Sequence, residues 1–326
     1  RQLVDQGFQQ LAEGDPHGAL ETGQTLIALQ HAGGYELLAL AYDGLGEADK
    51  ALEILEEGVS QAPGAWALWN MLGSHYSETG HYPEAEAAFR QALECEDAPE
   101  ELTFLNLAIL AARQDRPDEA FAWLGRTDPS ATDDPGFPCL YWSVRAGLYA
   151  EAEDPEAALA CADRALAADC DAVPPEHRIQ ARVLHARALH GLGESAFKCR
   201  GLVLDALHEH GWSAHAAADI RQYDDHRDAE APMRDLLVQG TLPDDEATPF
   251  YRRYGVRAGT DDEALDYVRA TLPEEIGETL DLVESVEGTP VDSELKGVYS
   301  AGPWFCYAEE EDEEDWGEPH GPPPNN

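Results

Sequence analysis

Histidine is the residue type in this sequence that most suggests metal chemistry, because seven histidines lie between positions 177 and 226. Imidazole is a common ligand of zinc, and two ligands on one helix must be three, four or seven residues apart to share a face. His185 and His190 differ by five positions, and His208 and His210 differ by two. Neither pair shares a helix face, so the sequence predicts no metal site and favours histidines on helix surfaces and ends. Ligands from different helices stay an open alternative.

Three short motifs look like catalytic or nucleotide-binding signatures but lack parts that such chemistry needs. The HRD at 226–228 would need a metal-binding asparagine five residues further on, where Met233 stands. The GLGESA at 191–196 follows a predicted helix, whereas a dinucleotide fingerprint follows a strand. The GWSAH around Ser213 lacks the last glycine of a nucleophile elbow. The sequence therefore predicts no catalytic residue, no cofactor and no enzymatic activity.

The charge of the chain limits its partners. Its 326 residues contain 65 Asp and Glu against 21 Lys and Arg, which gives a net charge of -44 and a pI near 4.3. Such a surface repels nucleic acid and anionic membranes and attracts basic proteins. We therefore expect a protein or peptide partner, and no nucleic acid or membrane. An acid-rich proteome in a salt-adapted or high-GC organism is an equally open explanation of the charge.

The six cysteines and the apolar runs bear on the compartment. The cysteines are scattered and form no CxxC pair, a pattern that favours free buried thiols in a reducing compartment over disulfides or zinc ribbons. No apolar run approaches the roughly 20 residues that cross a bilayer. We expect a cytoplasmic protein. Because the chain begins at Arg1 without methionine, a removed N-terminal segment or signal stays open.

A 34-residue internal repeat organises the first part of the chain. Aromatic, leucine, tyrosine, glycine and alanine residues recur in the same order in two adjacent segments. The matching pairs are Tyr35 and Trp69, Leu38 and Leu72, Tyr42 and Tyr76, Gly46 and Gly80, Ala51 and Ala85, and Leu55 and Phe89. Leu72, Gly73 and Tyr76 share one face of a predicted helix, and Gly73 lets a second helix that carries Phe89 approach closely. Gly80 is expected to end the first helix.

This pattern resembles the tetratricopeptide repeat, a helix–turn–helix unit, and the match is strongest for residues 32–99. Weaker copies occupy 3–30, 104–126 and 141–167, and a further helical pair at 176–210 fits the period poorly. The resemblance covers about residues 1–210 and implies a mainly α fold, in which helix pairs stack into an α-solenoid. We expect the helical repeat domain to span 1–238.

The remainder of the chain predicts a small α+β domain at 245–308, which resembles no family that we can name. Strand patterns at 251–258, 279–287 and 296–308 surround an amphipathic helix at 261–272, which gives a β-α-β-β order. The chain closes with an acidic, Pro- and Gly-rich stretch at 309–326, for which we expect a flexible tail.

The resemblance also implies a site, because repeats of this kind bind peptides in a concave groove formed by their first helices. Counted along these helices, thirteen residues face the groove: Glu36, Leu40, Asp43, Asn70, Ser74, Ser77, Glu78, Leu105, Asn106, Ile109, Arg113, Trp142 and Tyr149. Acids at one end and apolar side chains at the other favour a segment with basic and apolar character. The absence of lysine and the presence of Glu36 disfavour a groove that grips a C-terminal carboxylate.

Three functional interpretations follow from the sequence. The leading one is a non-enzymatic adaptor or scaffold that captures a partner protein or peptide in the groove. The second is an acidic inhibitor or immunity-type protein that blocks a basic enzyme by mimicking nucleic acid. The third is an enzyme whose site lies within 245–308. The sequence does not predict the oligomeric state.

Overall fold

The computed structural model describes residues 2–96, 98–168, 172–243, 247–302 and 304–306. Spatial contacts divide the chain into two compact units, residues 1–177 and 178–326. The predicted acidic tail at 309–326 lies outside the described residues, as does Cys170.

The described residues of the first unit form ten helices, which follow one another as five helix–turn–helix pairs. The helices are α1 (Gln2–Ala12), α2 (Pro16–Ala28), α3 (Gly33–Gly44), α4 (Ala48–Gln61), α5 (Trp66–Glu78), α6 (Tyr82–Glu94), α7 (Glu100–Arg113), α8 (Pro117–Leu124), α9 (Phe137–Glu151) and α10 (Pro155–Ala167). These pairs form the solenoid that the sequence predicts.

A common turn joins the two helices of each pair. One residue of each turn has a left-handed backbone, with φ between 55° and 80°, and the residue after it donates its N–H to the carbonyl five positions earlier. This bond satisfies a carbonyl that the helix end leaves free. The left-handed residues are Gly14, Gly46, Gly80, Asp115 and Glu153. The prediction that Gly80 ends a helix is confirmed.

Small residues set the distance between the helices of a pair. A Cβ atom on Gly73 would lie 2.6 Å from Cε1 of Phe89, so only glycine allows α5 and α6 to approach this closely. Ala85 and Ala92 of α6 are also fully buried. The predicted interlocking of Gly73 with Phe89 is confirmed.

The second unit begins within α11 (Pro175–Gly191) and continues with α12 (Ala196–His210) and α13 (Ala214–Asp224). Ile179, Val203 and Ile220 belong to one buried cluster that these three helices share. Gly193 is left-handed, and Glu194 donates its N–H to Leu189 in the turn that also joins the pairs of the first unit. The helix pair expected at 176–210 therefore repeats this turn.

A five-stranded antiparallel sheet completes the second unit. Its strands are β1 (Met233–Thr241), β2 (Pro249–Arg257), β3 (Asp281–Glu287), β4 (Gly297–Ala301) and β5 (Phe305–Cys306), and the helices α14 (Asp261–Ala270) and α15 (Glu274–Gly277) lie between β2 and β3 in the chain. The strand order is β3-β1-β2-β4, and β5 pairs with β2. β2, α14, β3 and β4 lie in the segments expected from the β-α-β-β pattern, whereas α15 was not expected and the last expected strand is divided into β4 and β5.

The helical stretch expected to continue to about residue 238 ends earlier, because α13 ends at Asp224 and β1 occupies Met233–Thr241. An apolar triplet, Leu236 to Val238, fits a helix turn or a buried strand equally well by its pattern. Antiparallel pairing with β2 over nine residue pairs stabilises the segment as a strand. Leu236 and Val238 then join Val268 of α14 in the core of the sheet.

Arginines fix several loops of the second unit by donating to backbone carbonyls. Arg257 of β2 donates to the carbonyls of Ala229, Val291 and Ser293. Arg234 of β1 reaches two further carbonyls in the loop before α14. These bonds satisfy carbonyls that no strand partner could reach.

Candidate partner-binding site

All thirteen residues predicted to face a groove lie on the first helices of consecutive pairs. Glu36, Leu40 and Asp43 lie on α3, and Trp142 and Tyr149 lie on α9. The remaining eight are divided between two helices: Asn70, Ser74, Ser77 and Glu78 on α5, and Leu105, Asn106, Ile109 and Arg113 on α7. The helices that would form the site are therefore those that the sequence indicated.

Three of the thirteen side chains are buried, which differs from the exposure that a contact residue needs. Asn70 is 5% exposed, Ser77 is 6% exposed and Leu105 is 2% exposed. Each lies on the side of its helix that faces the next first helix in the array. Leu105, for example, shares a buried cluster with Tyr141 of α9. These three side chains are therefore packed between helices and do not line the predicted groove.

Asn70 is the centre of a buried polar contact between α5 and α7. Its Nδ2 donates to Oγ1 of Thr103 at 3.2 Å, and its Oδ1 accepts from Nδ2 of Asn106 at 3.4 Å. Burying the amide without these partners would cost free energy. Asn70 and Asn106 therefore bond to each other across the repeat boundary, and part of their hydrogen-bonding capacity is not available to a partner.

Two further polar contacts link first helices. Nη1 of Arg113 donates to Oγ of Ser77 at 3.2 Å, and Nε2 of His75 lies 3.0 Å from Oδ2 of Asp43. The linked residues are 32 and 36 positions apart, close to one repeat. Thus α3, α5 and α7 are joined in series. His75 and Thr103 were not among the predicted site residues, although polar residues about one repeat apart were a signal that could have indicated them.

A row of less buried side chains crosses these three helices. Leu40, Ser74 and Ile109 lie five positions after Tyr35, Trp69 and Phe104, the aromatic residues at equivalent places in successive repeats. Leu40 is 37% exposed, and Ser74 and Ile109 are half-buried. The row therefore has an apolar side chain at each end, Leu40 and Ile109, and the small side chain of Ser74 between them.

Acidic groups flank the first part of this row. Asp43 and Glu78 are exposed. Glu36 is half-buried, and its burial raises the pKa of the carboxyl group above the ordinary value, an effect that nearby His31 opposes. Arg113 is exposed at the α7 end. The electrostatic character of the row thus changes from acidic at α3 and α5 to basic at the end of α7.

Trp142 and Tyr149 of α9 lie in a setting that is less apolar than expected. The guanidinium of Arg164 lies 4.5 Å from the centre of the Trp142 ring, and that of Arg145 lies 5.7 Å from it. The Tyr149 ring contacts Phe121 at 4.9 Å between centroids. Hydrogen bonds to tyrosine hydroxyls, that of Tyr149 first, raise the pKa of Arg145. Cation–π contacts of this kind are favourable and hold the aromatic side chains in place.

The described part of the chain offers no arrangement of three or more His, Cys, Asp and Glu side chains that could hold a metal ion. Within the same residues, no helix has both the length and the apolar character needed to cross a membrane.

Comparison with known proteins agrees with the helical-repeat fold of the first unit. The tetratricopeptide repeat family model matches residues 36–100 and 70–135. A tetratricopeptide repeat protein from Parabacteroides merdae is 20% identical, with a TM-score of 0.54 over 68% of this chain and 83% of the other. The type IV pilus biogenesis factor PilW is 19% identical, with a TM-score of 0.52 over 66% of this chain and 96% of the other.

A chain of the APC/C hetero-tetramer Cut9–Hcn1 is 15% identical and has a TM-score of 0.53. The match covers 66% of this chain and only 40% of that one. At these identities the likenesses show the fold alone. No curated protein sequence matches the chain significantly. Within this chain, residues 36–135 therefore form tetratricopeptide repeats.

Proposed function

We propose that this chain is a non-enzymatic adaptor that binds a segment of a partner protein on the open side of α3, α5 and α7. The repeat fold supports a role in protein–protein interaction. The observation that carries the proposal is the row of Leu40, Ser74 and Ile109, which stays accessible while the buried contact between Asn70 and Thr103 links α5 to α7. A preorganised surface binds with less loss of conformational entropy.

The chemistry of the row selects the partner. Leu40 and Ile109 favour apolar side chains, and Asp43 and Glu78 favour lysine or arginine beside them. Complementary charge raises the association rate and disfavours acidic segments. The segment is therefore basic and apolar where it lies over α3 and α5. One solved structure with the same fold is a hetero-tetramer of two proteins, which is consistent with a role in assembly.

A peptide-display selection on the full chain tests this proposal. The expected enriched sequences combine apolar residues with lysine or arginine. The charge-reversal variant Asp43→Lys/Glu78→Lys should lose about tenfold or more in affinity for them, since two attractive contacts become repulsive. Enrichment of acidic sequences, or unchanged affinity in this variant, would contradict the proposal.

A matched control separates the row from the overall charge of the chain. Asp118→Lys/Glu156→Lys makes the same change in net charge at two exposed positions on second helices, α8 and α10. This control should bind the selected peptides as the unmodified chain does. Equal loss in both variants would mean that net charge, and not the row, attracts the peptide.

The acidic-inhibitor interpretation draws its support from composition alone, since its acidic tail lies outside the described residues. Ionic strength distinguishes the two functions. A complex that depends on charge mimicry loses affinity steeply with added salt, whereas one that depends on apolar contacts to Leu40 and Ile109 keeps most of its affinity.

We also propose a cytoplasmic location. Cys161 and Cys199 are free and buried, and burial raises the pKa of both thiols. Buried free thiols suit a reducing compartment. Cys306 is exposed and Cys95 is half-buried, so the expectation of buried thiols does not extend to them. Fractionation of cells that express the chain tests the location, and recovery from an oxidising compartment would contradict it.

A further inference from the structure

We propose that strand β3 of the second unit is a second docking site, which pairs with an extended segment of a partner protein that carries lysine or arginine between apolar residues. This site is independent of the row on α3, α5 and α7. The segment would add a strand to the sheet through backbone hydrogen bonds, while its side chains provide selectivity.

The exposure of β3 supports an unoccupied edge. Among the described strands, β3 lies at one end of the sheet order and pairs with β1 alone. Five of its seven residues are exposed, whereas β1 has no exposed residue. Val283 is 48% exposed and Val286 is 46% exposed. An edge strand presents backbone donors and acceptors to any chain that can pair with it.

The register limits where a new strand could pair. A bulge at Leu237 and Val238 interrupts the pairing of β1 with β3, since Glu284 and Leu282 are their successive partners. Bulges of this kind discourage pairing along an edge. From Glu284 to Glu287 the register is regular, and Gly288 extends the ladder by donating its N–H to Met233. The segment that can accept a new strand is therefore 284–287.

The opposite end of the sheet is closed by a helix of the same unit. Arg221 of α13 donates to the carbonyl of Val298 in β4, and its guanidinium lies 3.9 Å from the centre of the Tyr299 ring. Gly297 makes this approach possible, because a Cβ atom there would lie 2.9 Å from Cγ of Arg221. The unit thus protects β4 with an arginine and leaves β3 without such a cover among the described residues.

The charge of β3 identifies its occupant. The strand carries Asp281, Glu284 and Glu287 and no lysine or arginine. The ion pair recorded for these acids is a 3.6 Å contact between Glu284 and the exposed Arg253 of β2. A second copy of β3 would place acids opposite acids, which destabilises strand pairing. A basic segment places a lysine or arginine opposite Glu287 instead, and its neighbouring apolar residue then lies opposite Val286 on the other face of the strand.

The test uses the full chain and synthetic eight-residue peptides that alternate valine with lysine or valine with glutamate. A third peptide repeats the valine–lysine sequence with alternate backbone nitrogens methylated, which removes strand pairing and keeps the charge. Calorimetry measures affinity, and amide hydrogen exchange locates the contact. The variant is Glu284→Lys/Glu287→Lys, and the control is again Asp118→Lys/Glu156→Lys.

We expect the valine–lysine peptide to slow amide exchange within 281–287. The methylated peptide and the valine–glutamate peptide should each bind at least about tenfold more weakly. The Glu284→Lys/Glu287→Lys variant should lose at least as much affinity for the valine–lysine peptide, while the control variant binds it as before. Protection confined to the helical repeats, equal binding of the methylated peptide, or self-association of the chain through β3 would overturn the proposal. A failure of this test leaves the row on α3, α5 and α7 unaffected, because that site is measured with other variants.

Discussion

The helical repeats and the sheet of the second unit use different means to bring distant residues together. In the repeats, small residues such as Gly73 meet large ones such as Phe89 within one helix pair, and the polar links lie about one repeat apart. In the sheet, arginines such as Arg257 and Arg252 reach carbonyls 28 to 50 residues away. The contacts of the repeats recur at a fixed spacing and are visible as a period, whereas the arginine contacts have no fixed spacing and leave no period in the sequence.

The difference extends to what each region exposes. Buried hydrogen bonds between first helices leave one row of side chains accessible across three repeats. In the sheet, guanidinium groups donate to backbone carbonyls of the same unit, and the edge strand β3 carries acidic residues without lysine or arginine. Both proposals therefore assign a basic partner, but the first surface presents side chains and the second presents backbone.

A single added methyl group at Gly73 tests whether the close packing within a helix pair depends on glycine. Gly73→Ala places a Cβ atom 2.6 Å from Phe89, and we expect a loss of up to about 3 kcal/mol in the free energy of unfolding from overpacking. Gly44→Ala makes the same change at the end of α3, where no atom lies within 4 Å of the new Cβ. This control should gain up to about 1 kcal/mol from helix propensity. Urea denaturation followed by circular dichroism measures both, and equal effects would contradict the rule.

Two arginines of β2 test how much the hydrogen bonds from arginine to loop carbonyls stabilise the second unit. Arg257→Lys leaves the carbonyls of Ala229, Val291 and Ser293 with fewer donors, and we expect a loss of about 1–2 kcal/mol in the stability of the second unit. Arg253→Lys affects an exposed arginine of the same strand and should change stability by less than about 0.5 kcal/mol. Amide hydrogen exchange in β2 and β4 reports the local stability. Similar exchange rates in the two variants would count against a special role for Arg257.

The polar link between α5 and α7 should contribute to stability as well as to binding. Asn70→Ala leaves Thr103 and Asn106 without their shared partner, and we expect a cost of about 1–2 kcal/mol. Combined with Thr103→Val in a double-mutant cycle, the two changes should show a coupling energy of at least about 0.5 kcal/mol. Additive effects would mean that the two side chains do not stabilise each other.

The smallest expected effect concerns Tyr76. The hydrogen bond that its hydroxyl donates to Glu56, at 2.7 Å, is the largest of the effects that raise the pKa of Tyr76 to about 12, and burial adds to it. A raised phenol pKa stabilises the fold fully below the unfolded value of about 10, and this contribution is lost as the pH rises from about 10 to about 12. Tyr76→Phe should therefore cost about 0.5–1 kcal/mol at pH 8 and less at pH 11.

Tyr82→Phe is the matched control for this titration. The Tyr82 hydroxyl makes no hydrogen bond to any residue that the structure describes. Urea denaturation of the two variants at both pH values gives the comparison. A cost for Tyr76→Phe that stays constant between pH 8 and pH 11 would show that the bond to Glu56 does not set the stability.

Much of the repeat architecture was predictable because its contacts are local. The 34-residue period placed the first helices, and the Gly73, Phe89 and Gly80 roles followed from helix geometry. The burial of Asn70, Ser77 and Leu105 was not predictable in this way, because it depends on how closely successive first helices approach one another. A helical wheel shows which residues share a face but not what covers that face.

The second unit was predicted less completely for a related reason. The sequence indicated β2, α14, β3 and β4, since each has its own alternation or amphipathic pattern. It missed β1, whose apolar triplet has no distinctive period and whose strand state is fixed by pairing with β2 and β3. The arginine contacts of the loops were equally inaccessible, because a guanidinium can reach any nearby carbonyl.

The most direct test of the proposed function is an amide hydrogen-exchange footprint of the full chain with a peptide selected by display. The account predicts slower exchange in α3, α5 and α7 on peptide binding, with little change in α4, α6 and α8. It also predicts that Asp43→Lys/Glu78→Lys abolishes this footprint. Protection on the second helices, or a footprint that survives the double charge reversal, would contradict the assignment of the open row as the binding site.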